Sequence, residues 1–165
     1  MNRKSGFVRD TWRLITPYWT SKEKLGAWFL LAAVIGLTLA MVYMSVQFNY
    51  WNNDFYNALQ EKKQEDFFPL LGRFALLAAI YIAMAVYAFY LNQMLQIRWR
   101  RWMTDDYLKQ WLGNRAYYRM QLTGSPADNP DQRIAEDFRI FVDETLSLSL
   151  GLLKAVVTLV SFVGI

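Results

Sequence analysis

Charged and apolar positions are strongly segregated along the chain. No charged residue stands between Lys24 and Asp54 or between Arg73 and Arg98, which leaves uncharged runs at 25–53 and 74–97. Each exceeds the roughly 20 apolar residues that carry a helix across a hydrocarbon core of about 30 Å. The pattern predicts membrane-spanning helices over about 25–48 and about 70–97, joined by a short polar connection reaching residue 66. Ahead of the first run, Val8, Trp12, Ile15 and Trp19 recur at helical spacing, with Arg9 and Arg13 on another face. Residues 1–24 therefore read as an amphipathic helix lying at the membrane surface, its exit bent by Pro17. A disordered basic tail is the alternative.

The second helix is longer than a span requires. No Pro or Gly occurs between Gly72 and Gly113. At about 1.5 Å per residue this run makes roughly 60 Å of helix, about twice the hydrocarbon core. It is expected to leave the membrane and continue to about residue 112. In that extension Trp99, Met103, Tyr107 and Trp111 share one face, opposite Arg98, Arg101, Asp105 and Lys109. Such a stripe is a packing face more often than a platform for stacked bases, so no nucleic acid partner is expected.

Ser125-Pro126-Ala127-Asp128 reads as the turn that reverses the chain. Asn129, Pro130, Asp131 and Gln132 then have the features of a helix start: a capping side chain, Pro preset in the first turn, and an acid near the positive dipole end. Ile134, Phe138, Phe141, Val142 and Thr145 form the expected buried stripe, with Arg133–Asp137 and Arg139–Asp143 as i, i+4 ion pairs. A third span is expected from about residue 145. Only residues 155–165 follow Lys154 without charge, about half a span, so the sequence is expected to be cut inside it. Three ladders of small residues, Ala32/Gly36/Ala40, Ala75/Ala79/Ala83 and Ser147/Gly151/Ala155, leave room for further helices.

Charge sets an orientation. Basic residues dominate 1–24 and 98–139, whereas Asp54, Glu61, Glu65 and Asp66 outnumber Lys62 and Lys63 in the first connection. By the positive-inside rule the N-terminus and residues 98–144 are cytoplasmic and the 54–66 connection is external. Composition then removes most chemistry. A chain of 165 residues with no Cys and no His has no disulfide, no Cys/His zinc site, no haem ligation, no thiol catalysis and no Ser-His-Asp triad. A carboxylate-only metal site is the one metal option left, and no metal is assigned. The glycines are too widely spaced for a phosphate-binding loop. Ser21-Lys22-Glu23-Lys24 matches S-x-x-K but lacks its companion motifs. The chain is therefore expected to hold no catalytic residue and no cofactor of its own.

Two membrane helices that run on as a cytosolic pair suggest a machine conveying motion from a cytosolic partner into the bilayer. Four segments carry a likeness, the Asn-Pro-Asp-Gln-Arg-Ile run being the specific one: Trp51-Asn52-Asn53-Asp54-Phe55-Tyr56-Asn57-Ala58-Leu59-Gln60, Arg98-Trp99-Arg100-Arg101-Trp102-Met103-Thr104, Ala116-Tyr117-Tyr118-Arg119, and Asp128-Asn129-Pro130-Asp131-Gln132-Arg133-Ile134-Ala135-Glu136-Asp137. Over nearly the whole chain these resemble the permease domain of ABC transporters. The likeness is greatest to bacterial fused permease-ATPase proteins related to the SbmA/BacA peptide transporters and the peroxisomal transporters of subfamily D.

The resemblance implies an all-α membrane protein with exporter-like helices and long cytosolic extensions, here incomplete within the third span. It also implies a homodimer in the bacterial inner membrane and an ATPase domain, absent from this sequence, that uses ATP and Mg. The substrate implied is a peptide or lipid-like molecule, moved by alternating access. Residues 125–137 correspond to the coupling segment, with Asn129, Pro130, Asp131, Gln132, Arg133, Glu136 and Asp137 as candidate contacts to the ATPase. Asn129, Pro130 and Gln132 equally serve simply to start a helix, and the two roles are compatible. The alternatives are a proton-coupled SbmA/BacA-type importer without an ATPase and a membrane scaffold that transports nothing. The Arg-Trp-Arg-Arg-Trp and Asn-Pro-Asp-Gln runs look more like the fused type.

Polar groups on the apolar helices are the candidate substrate path. Gln47, Asn49, Asn92 and Gln93 face a bundle interior or water rather than lipid, either lining a path or bonding neighbouring helices. Trp51, Asn52 and Asn53 lie in an exit segment that mixes aromatics with amides. Arg73 is read as a snorkelling or structural cation with substrate contact as the alternative, and Lys154 as an interfacial anchor.

Overall fold

The computed structural model describes residues 4–113 and 130–163. They form four helices, α1 (Lys4–Thr20), α2 (Lys24–Gln60), α3 (Gln64–Gly113) and α4 (Pro130–Val163), with no strand among the described residues. Of these, α2, α3 and α4 are long and apolar enough to cross a membrane. Contacts divide the chain into two units, Met1–Leu31 with Gln93–Ser147 and Ala32–Asn92 with Leu148–Ile165.

The core of the first unit is aromatic. Tyr18 and Trp99 are fully buried and stack with centroids 5.5 Å apart and planes 8° apart. Trp19 meets Trp99 edge-on, Trp102 closes on Tyr18, and Phe141 from α4 meets Trp99 edge-on. Ala27, Leu30, Leu95, Met103, Val142 and Leu146 complete the buried set. Trp99 and Met103 are thus the inward face of the extension, with Arg98, Arg101, Asp105 and Lys109 exposed. Trp111 lies outside the residues whose side chains are described.

In α1 the inward residue is Tyr18, flanked by part-buried Thr11, Ile15 and Trp19, while Trp12 is 67% exposed. The expected Trp12 stripe is therefore rotated toward Tyr18. Pro17 does not end the helix, which runs to Thr20. Pro17 has no N–H to donate, and hydroxyls occupy carbonyls nearby: Thr16 Oγ1 donates to Trp12 O at 2.7 Å and Thr20 Oγ1 to Thr16 O at 3.1 Å. Ser21 shapes the turn between α1 and α2, its Oγ donating to the Tyr18 carbonyl at 2.7 Å and accepting from the Glu23 N–H at 3.2 Å. That gives the isolated S-x-x-K match a structural role.

The second unit contains the α2–α3 hairpin, buried along Val34, Thr38, Val42 and Met44 of α2 and Ala88 of α3. Its connection is shorter than expected, because α2 continues through the 49–56 segment to Gln60 and α3 begins at Gln64. Lys63 N–H donates to Ala58 O at 3.0 Å and Lys62 N–H to Leu59 O at 3.2 Å, with Lys62 at φ 54°. This is a Schellman stop with Lys in the left-handed position that usually favours Gly.

Much apolar surface has no partner within the chain. Only 6% of the most apolar stretch of α3, and 6% of that of α4, is buried, against 28% for α2. A methyl group added at Gly36, Gly72 or Gly151 would meet nothing within 4 Å. Of the three ladders only Ala40 is part-buried and the other eight residues are exposed, so they are not used to pack these helices together.

Candidate functional site

Most of the candidate path residues lie on the α2–α3 hairpin, and of them Arg73 lines its polar cleft. Trp51 is part-buried, stacked on Phe55 with centroids 5.0 Å apart and tilted against Phe74 at 4.7 Å. Its Nε1–H donates to the Leu70 carbonyl at 2.8 Å, bridging the helices one residue beyond Pro69. Arg73 donates from Nη1 to Asp54 Oδ2 at 3.0 Å, both side chains about half exposed. The structural reading of Arg73 thus has a named partner.

Beside this pair opens a polar cleft of about 460 Å³, lined by Asp54, Asn57, Glu61, Asp66 and Arg73 among others. Lys63 also lines it and pairs with Glu61, which holds the ammonium above its ordinary range. Gln47 is part-buried, and Asn49, Asn52 and Asn53 are exposed. On α3, the buried Asn92 Oδ1 has no hydrogen-bond partner among the described residues, whereas Gln93 is exposed. Asn92 thus has an acceptor open to a water or a further helix.

Of the expected coupling residues, Asn129 lies outside the described residues. Pro130, Asp131, Gln132 and Arg133 form the first turn of α4, with side chains outside the described set. Glu136 and Asp137 are exposed. Arg139 donates from Nε to Glu136 Oε2 at 3.1 Å and pairs through Nη2 with Oε1. The expected Arg139–Asp143 pair is therefore replaced by an i, i+3 pair, since both spacings are within reach on a helix and the acid one turn earlier meets the guanidinium with two oxygens. Ile134, Phe138, Phe141 and Thr145 are part-buried and Val142 is buried; Phe138 meets Tyr107 edge-on. The first unit thus holds the start of α4 against α3 by its apolar stripe and leaves the acids outward. Among the described residues no group of His, Cys, Asp and Glu could hold a metal ion.

Sequence reasoning missed three features. Tyr18, not Trp12, supplies the inward ring of α1, and burial, reinforced by the charge of Glu23 and partly offset by Arg98, pushes its hydroxyl up to about 12. The Trp51–Leu70 bond and the Arg73–Asp54 pair both join residues 19 apart. Only the length of the turn between them would have disclosed either.

Comparison with known proteins gives the context. Residues 13–165 match the family model described as ABC transporter transmembrane region 2. The chain is 38% identical over 151 residues to the inner membrane ABC transporter ATP-binding protein YddA of Escherichia coli, covering 90% of this chain and 27% of that protein. It is 41% identical over 166 residues to the chloroplastic ABC transporter D family member 2 of Arabidopsis thaliana, covering 98% of this chain and 23% of that protein. The human lysosomal cobalamin transporter ABCD4 is 25% identical over 91% of this chain and 24% of its own length. The chain thus spans about a quarter of the length of these relatives. No solved structure gives a significant match. Matched from residue 13 to residue 165, with three helices able to cross a membrane, the chain belongs to the ABC transporter transmembrane region 2 family as an all-helical membrane region.

Proposed function

We propose that this chain is the N-terminal portion of the permease domain of an ATP-driven transporter that moves a peptide or lipid-like substrate by alternating access. The observation that carries the reading is the Escherichia coli relative, whose name joins an ABC transporter to ATP binding and which matches 90% of this chain. In this reading ATP and Mg are bound by sequence outside the chain, because its own glycines make no phosphate-binding loop. Two copies form the working unit. The exposed small-residue ladders and the barely buried apolar surfaces of α3 and α4 supply faces for those further helices. The bilayer is the bacterial cytoplasmic membrane, with the N-terminus inside by the excess of basic residues there.

Residues 125–137 transmit the motion. Arg133, Glu136 and Asp137 at the start of α4 contact the ATPase, and Phe138, Phe141 and Val142 pass displacement to the aromatic core around Trp99. The test is the double substitution Arg133→Ala with Asp137→Ala in the full transporter, reconstituted in vesicles. ATP hydrolysis should continue while transport per ATP falls roughly tenfold, the scale of a typical coupling energy. Wild-type coupling in that variant would remove the assigned role. Transport that ignores ATP and follows a proton gradient would replace the reading with a proton-coupled importer, and absence of both transport and stimulated hydrolysis would leave a scaffold.

A further inference from the structure

The first unit contains a basic pocket that the coupling role does not use. It has a volume of about 380 Å³ and is lined by Glu23, Gly26, Arg98 and Arg101. Arg98 and Arg101 are exposed, and among the described residues neither makes an ion pair or side-chain hydrogen bond. Lys22 and Lys24, also exposed, flank Glu23, so basic groups outnumber the single acid. Gly26 is what admits the guanidinium: a Cβ there would stand 3.1 Å from Arg98 Nη1.

What surrounds the pocket specifies the ligand. From it α2 enters its uncharged run at Leu25, and α3 has left its own at Ile97. Leu25, Phe29 and Ile97 are 80%, 74% and 59% exposed. Trp28 donates from Nε1 to the Trp19 carbonyl at 3.3 Å while more than half its surface stays exposed, the amphipathic placement favoured at a membrane interface. The buried Tyr18 hydroxyl has no partner among the described residues and feels the charges of both Glu23 and Arg98. An acidic protein surface would account for the arginines but not for the apolar side chains beside them.

We propose that Arg98 and Arg101, over the Gly26 notch, form a site for the phosphate headgroup of an anionic phospholipid, whose acyl chains run along Leu25, Phe29 and Ile97. Basic pockets beside membrane helices bind anionic headgroups by the same chemistry. The proposal depends on membrane embedding and not on the energy source or the substrate.

The test uses the full transporter in nanodiscs of equimolar phosphatidylglycerol and phosphatidylcholine, with retained lipid counted by native mass spectrometry. The wild type should keep phosphatidylglycerol over phosphatidylcholine by about thirtyfold, in line with two basic groups at an anionic surface. Arg98→Gln with Arg101→Gln should abolish that preference. Gly26→Leu puts a side chain into the notch, where a Cβ already meets Arg98 Nη1, and keeps both charges, and it should reduce the preference too. Equal retention of both lipids by the wild type, or an unchanged preference in the two variants, overturns the proposal. Displacement of the lipid by excess inorganic phosphate would instead mark a free-anion site and also overturns it.

Discussion

Trp99 and Trp51 each centre an aromatic cluster, but they are held by different forces. Trp99 is 1% exposed, stacked on Tyr18 and edge-on to Trp19 and Phe141, and its Nε1–H has no acceptor among the described residues. An unpaired buried donor costs about 1–3 kcal/mol, so apolar area and dispersion must outweigh that penalty. Trp51 is only part-buried, yet its Nε1–H is satisfied by Leu70 and the Arg73–Asp54 pair lies within one turn on each helix. The first cluster is a core that fixes which helices meet. The second is a brace that fixes how two connected helices face each other.

The contrast can be broken most directly at the rings. Trp99→Ala should cost about 3–5 kcal/mol, the range for emptying a large buried aromatic site. Trp51→Phe, which keeps a ring and removes the donor, should cost about 1 kcal/mol. Unfolding midpoints of the detergent-purified protein measure both, and equal losses would erase the distinction.

A second test concerns the hydroxyl buried beside Trp99. Because burial raises the Tyr18 pKa to about 12 from an ordinary 10.0, the folded state holds that proton while the unfolded chain releases it. Stability should therefore be intact below pH 10 and fall as the pH rises through 12. Alkaline unfolding curves for the wild type and Tyr18→Phe read this, and the difference between them should become independent of pH below pH 10. The smallest effect should come from Asp54→Asn, since an exposed pair contributes about 0–1 kcal/mol and is screened by salt. A large, salt-insensitive loss there would move the Arg73 pair from the brace into the core class.

Residue pattern disclosed the first cluster far better than the second. The recurrence of Trp99 and Met103, and of Phe138, Phe141 and Val142, marks inward faces because a helix repeats every 3.6 residues whatever it packs against. The same period was ambiguous in α1, where 8/12/15/19 and 11/15/18/19 both make a stripe, and only the presence of Trp99 selects the one containing Tyr18. In the hairpin the amides at Asn49, Asn52 and Asn53 resembled a helix exit, but exposed amides are satisfied by water in a helix as well as in a loop. Lys62 gave no sign of a stop because Gly, the usual mark, is absent from that position. Asp54 as the partner of Arg73 depends on that stop, so local spacing could not find it.

The three-residue connection at Glu61, Lys62 and Lys63 also acts as a rotational clutch locked in one setting. A residue inserted into α3 between the connection and Leu70 would turn the rest of that helix by about 100° about its axis. One step would swing the Leu70 carbonyl and Arg73 away from Trp51 and Asp54 together, leaving both helices intact but wrongly meshed. The turn should therefore accept substitutions that keep its stop, Lys62→Gly among them, whereas an insertion between Gln64 and Leu70 should break both contacts at once.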